Sequence, residues 1–206
     1  MDYLGLNITL NSYLKDEIKF DLNSNVDDTV RKYRNGIYEF LIDEGINSTI
    51  LNVIFIKDIS LQKSMTDAQY LEIMVEGLKE KSVENIARMY LDFYEIEHAL
   101  RRNAFIRVEG SSLSQFVKGE NDSLDSVLLK SDYYKWIGVL NIDNYRKLFD
   151  EYLYSYLKEN LYINIGLDGI ISRLVRNFLE IDNLAILEKA KRMNLDASEI
   201  VRSYAK

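Results

Sequence analysis

The sequence predicts an all-α protein, and three observations carry this prediction. The 206 residues contain no proline. Apolar residues keep helical spacing over most of the chain from about residue 66 onward. Only one short stretch, at 48–59, is rich in β-branched residues. Proline is excluded from helix interiors but common in turns and at strand edges, so its absence favours long helices joined by tight connections.

The predicted arrangement is two stacked helical lobes built from pseudo-repeated helix bundles, with roughly eight to ten helices in total. The lobes are placed at residues 1–110 and 111–206, and one continuous domain is the alternative. A chain of this length can form either arrangement with a well-buried core.

The N-terminal third contains one clear helix and one ambiguous stretch. Residues 27–43 have the apolar spacing of a helix. The stretch STILNVIFIKDI fits a strand by its β-branched content and a helix by its apolar positions 50, 53 and 54. A small sheet formed by residues 1–12 and 48–58 is therefore the alternative to helix here.

The middle of the chain predicts two long helices and two short ones. Thr66 or Asp67 caps a helix that ends near Lys81, and Ser82 caps a second helix that runs to about Arg107. Gly110 and the serine pair after it predict a break. The segments SLSQFV and SLDSVLLK then have the length of one-turn or two-turn helices.

The C-terminal part predicts two further long helices. One begins near 141–143 and ends near 162, and the other covers 167–191 with one apolar face. A turn at 194–196 leads into a last short helix that starts at Asp196 or Ser198.

The composition excludes several classes of protein. With 47% apolar and 29% charged residues, the chain has the balance of a soluble globular protein. The net charge of −7 disfavours nucleic acid as a partner, because phosphate binding requires the opposite sign. The absence of cysteine excludes disulfides and iron–sulfur clusters. The N-terminus lacks a signal-peptide pattern, and ILNVIFI is too short to span a bilayer, so we expect a cytoplasmic protein.

The motifs of common enzyme chemistry are missing. A single histidine, His98, excludes a paired-histidine metal motif and leaves one candidate base for a serine triad. No Walker A sequence or glycine-rich dinucleotide fingerprint occurs. We therefore predict no catalytic, cofactor-binding or metal-binding residues and no small-molecule substrate. The expected role is the binding of other proteins, without enzyme activity.

One short phrase occurs twice. FYEIEH at 93–98 and FLEIDN at 178–183 share Phe, Glu and Ile at the same places, each in the second half of a predicted long helix. Residues three apart share a helix face, so we expect Phe93 with Ile96, and Phe178 with Ile181, to face their lobe's core. Each glutamate is then expected at the edge of that core, paired with a basic side chain.

The two phrases and the residues around them resemble the C-subunit family of the V-type ATP synthase, whose eukaryotic counterpart is the d subunit, or its short bacterial relatives. FLEIDNLAILEKAKRMNLDASEI at 178–200 carries the likeness best, and YLDFYEIEHALRRNAF at 90–105 carries the earlier copy. The family has pseudo-repeated three-helix lobes. This chain departs from it in having room for about two lobes instead of three, and in lacking the usual basic residue after the second phrase.

The resemblance implies a non-catalytic subunit of the central stalk of a V-type or A-type ATPase, which takes part in ion or proton transport. The implied partners are the axle subunits and the membrane rotor ring, and the protein would be peripheral to the cytoplasmic membrane through these partners alone. The alternatives are a free-standing helical adaptor or regulator and, third, a hydrolase that uses a carboxylate pair such as Glu95 with Glu97.

Seven polar residues in and after the phrases are the structural or interface candidates. We expect Glu95 and Glu180 to form ion pairs between helices with Arg101 and Arg102 and so fix the packing of the lobes, with direct partner contact as the alternative. The seven are Glu95, His98, Arg101, Arg102, Glu180, Asp182 and Asn183.

Overall fold

A computed structural model describes residues 5–6, 9–10, 14, 18–21, 23–55, 71, 78, 80–119, 122–160 and 166–196. The all-α class is confirmed, since these residues form helices and no strand. Two short 3-10 helices lie at Leu113–Gln115 and Tyr134–Trp136. The α-helices are α1 Val26–Asp43, α2 Ser48–Ile54, α3 Lys81–Arg102, α4 Leu124–Leu128, α5 Tyr145–Asn160 and α6 Leu167–Arg192.

The chain divides into two compact units. One combines residues 1–55 with residues 150–206, and the other consists of residues 56–149. The division falls within α5. The contiguous lobes 1–110 and 111–206 that we expect from the sequence are a different division, and their pseudo-repeat stays a prediction.

In the discontinuous unit, α1 packs against α6. Asn25 caps α1 by accepting hydrogen bonds from the backbone N–H groups of Asp27 and Asp28, and these two acids suit the positive end of the helix dipole. Burial of apolar residues holds the pair together. The buried residues at this contact are Val26, Val30, Ile181 and Ala185.

The ambiguous stretch forms helix α2. Asn47 caps it through the backbone N–H of Thr49, and its apolar residues are buried against α6 and neighbouring residues. The sheet alternative is wrong for 48–54, because apolar positions one and three apart fit the buried side of a short helix. Residues 5, 6, 9 and 10 are helical as well, while the rest of 1–12 lies outside the described residues.

The longest described helix of the continuous unit is α3. Its buried apolar residues include Val83, Ile86, Leu91 and Ile96. It ends at Arg102, five residues before the predicted end near Arg107. The reason is a left-handed C-cap at Asn103, which has a φ of 52°. The helix therefore gives way to irregular chain from 103 onward.

The remaining predictions divide into those confirmed and those outside the described residues. A 3-10 turn and α4 occupy SLSQFV and SLDSVLLK as predicted. The helices expected at 27–43, from about 141–143, and at 167–191 are present as α1, α5 and α6. The predicted helix at 66–81 and the last short helix lie almost wholly outside the described residues. Within the described part of the chain, no helix has the length and hydropathy needed to cross a bilayer.

Candidate functional site

Two buried carboxylates lie on one face of α3. Asp92 and Glu95 are three residues apart, so their side chains leave the helix on the same side. The exposed fraction is 2% for Asp92 and 0% for Glu95. Charged groups are rarely buried to this degree unless several donors surround them, so the partners of each oxygen matter.

Asp92 accepts hydrogen bonds from backbone and side-chain donors of the following chain. Its Oδ1 accepts from the backbone N–H of Ser112 at 2.6 Å, the Ser111 hydroxyl at 2.7 Å and the Leu113 N–H at 3.2 Å. Its Oδ2 accepts from the hydroxyls of Ser112 and Tyr133. The carboxylate is thus surrounded by donors that replace water.

Glu95 has fewer donors. Its Oε1 accepts from the Val108 backbone N–H at 2.7 Å and from the Ser114 hydroxyl at 2.6 Å. Its Oε2 lies 2.7 Å from the Ser111 hydroxyl oxygen, so Ser111 lies between the two carboxyl groups.

All but one of these donors come from a fold-back segment, residues 103–117. Left-handed turns at Asn103 and Gly110, with φ of 52° and 84°, reverse the chain so that it returns along α3. Arg88 of α3 donates to the Gly110 carbonyl oxygen at 2.6 Å and pairs with Glu84 on the same helix. The site is therefore a polar attachment of the fold-back segment to its own preceding helix.

Burial raises the pKa of both carboxyl groups above their ordinary values. For Asp92, hydrogen bonds from Ser112, Ser111, Tyr133 and the Leu113 N–H oppose this rise in pKa. For Glu95, bonds from Ser114, Ser111 and Val108 oppose it, while the charge of Asp92 raises the pKa further. The two pKa shifts therefore have the same direction.

Of the predicted candidates in the first phrase, only Glu95 belongs to this site. Arg101 pairs with Glu97 at 2.8 Å, one turn back on the same helix, and both contact the Tyr145 hydroxyl. His98 donates through Nδ1 to the Ala104 carbonyl oxygen at 3.0 Å, since a carbonyl can only accept. Arg102 is exposed.

The candidates of the second phrase lie in the discontinuous unit. Glu180 accepts from the Tyr154 hydroxyl at 3.0 Å, and its distance to Arg176 is 4.0 Å. Asp182 accepts from Arg34 of α1 at 2.7 Å, and the guanidinium of Arg34 also lies 5.0 Å from the centre of the Phe178 ring. Asn183 is buried.

The predicted pairing of Glu95 and Glu180 with Arg101 and Arg102 across helices is therefore wrong, and an ion pair between helices that was not predicted is formed by Asp182. Asp182 joins α6 to α1 through Arg34. Glu95 is buried among hydroxyl and backbone donors, and Arg101 pairs with Glu97 instead. A carboxyl group at full burial is stabilised by short, fixed donors close to it, which the fold-back segment supplies and a long arginine at the helix surface does not.

Sequence reasoning missed most of this site. The missed residues are Asp92, Ser111, Ser112, Ser114 and Tyr133. One signal was present: Asp92 immediately precedes Phe93 just as Asn177 precedes Phe178, and each accepts from a tyrosine hydroxyl, Tyr133 and Tyr33 respectively.

The described residues contain no group of three or more His, Asp or Glu side chains placed to hold a metal ion. Comparison with protein-family models, curated proteins and solved structures finds no match to this chain.

Proposed function

We propose that this protein is a non-catalytic structural subunit that acts by binding other proteins, in the manner of the C subunit in the central stalk of a V-type or A-type ATPase. The observation that carries the proposal is the repeated phrase, which lies in two long helices and buries the shared isoleucine in each. Ile96 has an exposed fraction of 0% and Ile181 of 4%.

The hydrogen bonds of the buried Asp92 and Glu95 support the proposal that the protein is non-catalytic. All described donors to Asp92 and Glu95 come from this chain, and together they attach the fold-back segment to α3. Burial raises the pKa of both carboxyl groups, and the hydrogen bonds from the surrounding hydroxyl and N–H donors oppose this rise. Their role is to keep the helical unit rigid.

Rigidity is what a spacer requires. A subunit between a rotating axle and a membrane ring transmits torque through packed helices and needs no reacting group. In the discontinuous unit, α1 and α6 are joined by the Arg34–Asp182 pair at 2.7 Å in addition to their apolar contact. These attachments favour one fixed arrangement of the two helices.

A free-standing adaptor is the second candidate, and one observation favours it. Four apolar side chains in the chain between α4 and α5 are exposed. Exposed apolar patches are a feature of protein-binding surfaces. The four are Leu129 at 68%, Tyr134 at 53%, Val139 at 53% and Ile142 at 42%.

Affinity purification of the tagged chain from its own host, at native expression level, distinguishes the two. The stalk proposal expects ATPase axle and ring subunits to co-purify, and expects deletion of the gene to reduce membrane-bound ATPase assembly. Genes for the catalytic and ring subunits are expected next to this one. A different, non-ATPase partner together with unchanged ATPase assembly would leave the adaptor function.

A pair of surface variants tests whether the exposed apolar stretch binds the partner. Val139→Asp places a charge on the exposed apolar stretch, whereas Ile42→Asp, at 39% exposure on α1, is the matched control outside that stretch. If the stretch binds the partner, Val139→Asp reduces co-purification and Ile42→Asp does not. Circular dichroism of both variants verifies that neither loses its helices.

A further inference from the structure

The oxygen contacts around Glu95 outnumber the protons available to fill them. Ser111 Oγ lies 2.7 Å from Asp92 Oδ1 and also 2.7 Å from Glu95 Oε2. Ser114 Oγ lies 2.6 Å from Glu95 Oε1 and 2.7 Å from the Val108 carbonyl oxygen. A serine hydroxyl has one proton to donate. With both carboxyl groups ionised, each serine would therefore leave one close oxygen–oxygen contact without a hydrogen, and a single carboxyl proton can fill the contact at Ser111, between the two acids.

The donors show which carboxyl group can remain charged. Asp92 accepts from the backbone N–H groups of Ser112 and Leu113, which cannot reverse direction, and from the hydroxyls of Ser112 and Tyr133. Glu95 has one fixed donor, the Val108 N–H. Its other two contacts are to serines that have a second acceptor within reach. Asp92 is therefore the better stabilised anion.

We propose that Glu95 is a neutral carboxylic acid in the folded protein at pH values where exposed carboxyl groups are ionised, and that loss of its proton loosens the fold-back segment from α3. The Glu95 proton is donated to Ser111 Oγ, and Ser111 donates its own to Asp92. The pair and its serine thus act as a pH-sensitive latch. The latch concerns the continuous unit alone and stands apart from the proposed function.

The charged groups of the neighbouring elements are consistent with a neutral Glu95 beside a charged Asp92. On α3, Asp92 is the acid in contact, and Arg88 is bound to Glu84 and the Gly110 carbonyl. Tyr133 contributes its hydroxyl to Asp92. The remaining described charged side chains from the fold-back segment to the second 3-10 helix are exposed or partly exposed: Arg107, Glu109, Lys118, Asp122, Asp125, Lys130, Asp132 and Lys135.

The sign of the pH effect follows from the raised pKa of Glu95. Burial and the charge of Asp92 raise the pKa above the ordinary value of 4.5. The folded protein therefore binds a proton that the unfolded chain has released. The stabilisation is fully present below the ordinary pKa and is lost as pH rises through the folded pKa.

The test compares unfolding of the wild type with Glu95→Gln in urea as a function of pH. In the window above the ordinary pKa, the wild-type unfolding constant is expected to rise about tenfold per pH unit, the effect of one proton. The glutamine amide donates permanently to Ser111, and its oxygen accepts from Val108. Glu95→Gln is thus expected to be at least as stable at about pH 6 and to lose the tenfold slope.

Two variants serve as controls. Glu180→Gln changes the corresponding residue of the second phrase, whose side chain is 45% exposed, and is expected to keep the wild-type slope. Asp92→Asn replaces one acceptor oxygen by an amide donor, which then faces the N–H groups or the hydroxyls that donate to Asp92, and is expected to destabilise at every pH. If Glu95→Gln keeps the full slope, or if Asp92→Asn and not Glu95→Gln removes it, the proposal is overturned.

Infrared spectroscopy keeps the proposal testable even if Glu95→Gln does not fold. Wild-type protein labelled with ¹³C at glutamate carboxyl groups is expected to show a neutral carboxylic-acid C=O band at about pH 6, where exposed glutamates are ionised. The band should disappear as pH is raised, together with hydrogen-exchange protection of the Val108 amide. Absence of a neutral glutamate band at that pH would show that Glu95 is ionised and that no latch exists.

Discussion

The repeated phrase lies in two different environments, one in α3 and one in α6. Ile96 and Ile181 are buried alike, but the flanking residues are not. Phe178 is buried, with Phe55 edge-on to it at 4.8 Å, whereas Phe93 is half-buried and stacks on Phe149 at 4.2 Å. The expectation that both phenylalanines face a core in the same way therefore describes Phe178 better than Phe93.

The two glutamates differ even more. Glu95 is fully buried beneath the fold-back segment, whereas Glu180 is nearly half exposed beside Tyr154. The reason lies in the chain after each phrase. Helix α3 ends at Arg102, so the next residues can return to Glu95, but α6 continues as helix to Arg192. The chain after a motif, more than the motif, decides whether its acid is buried.

The largest expected effect concerns the two phenylalanines. Phe178→Ala is expected to lower the free energy of unfolding by about 3–5 kcal/mol, the range for a buried phenylalanine. Phe93→Ala is expected to cost only about 1–2 kcal/mol, because a half-buried ring transfers less area into water. Urea unfolding followed by circular dichroism measures both. Equal losses would mean that the two phrases have equivalent cores after all.

The residue before each phenylalanine gives the next comparison. Asp92→Ala leaves the Ser112 N–H and the Tyr133 hydroxyl without their acceptor in a buried site, and is expected to cost about 2–4 kcal/mol. Asn177→Ala removes one 3.3 Å contact with Tyr33 and is expected to cost about 1 kcal/mol. The same unfolding measurement applies, and a larger loss for Asn177→Ala would reverse the comparison.

The fifth residue of each phrase, Glu97 or Asp182, forms an ion pair, and the two pairs differ in their surroundings. Asp182→Ala leaves the buried Arg34 without this partner and is expected to cost about 1–2 kcal/mol, since Asp182 itself is partly solvated. Glu97→Ala breaks a pair with the exposed Arg101 and removes an acceptor of the Tyr145 hydroxyl, and is expected to cost about 0.5–1 kcal/mol. Thermal unfolding at low and high salt checks this, because only the surface pair is strongly screened.

The smallest effects concern the ends of the two helices. Asn103 after α3 and Asn194 after α6 both have left-handed backbones, with φ of 52° and 53°. Replacement of either by glycine is expected to change stability by less than about 0.5 kcal/mol, and replacement by alanine to cost about 1 kcal/mol. If alanine is tolerated at Asn194 but not at Asn103, the α3 terminus alone depends on its turn.

Helix patterns made most of the fold predictable. Apolar spacing placed α1, α5 and α6, because this signal is local. The end of α3 was missed because asparagine in the left-handed region has the same sequence appearance as any polar helical residue. The stretch 48–54 was ambiguous because a short apolar run fits both helix and strand, and burial against α6 decides between them.

The candidate site was less predictable because most of its donors lie in irregular chain after α3, where apolar periodicity gives no information. The repeat pointed to Glu95, but its expected arginine partner was wrong. The serine pair at 111–112 predicted only a break, since periodicity says nothing about which carboxyl a loop hydroxyl will reach. Asp92 looked like one of many acids on a solvated helix face.

The position of the fold-back segment also affects the order in which contacts can form during synthesis. Asp92 and Glu95 bind residues of the fold-back segment only 13 to 21 positions further along the chain, whereas Arg34 and Asp182 are separated by 148 positions. Short loops close at low entropic cost, and contacts close in sequence form fast. Helix α3 and its fold-back segment can therefore associate while the ribosome is still translating α5. The α1–α6 contact has to wait until nearly the whole chain has emerged.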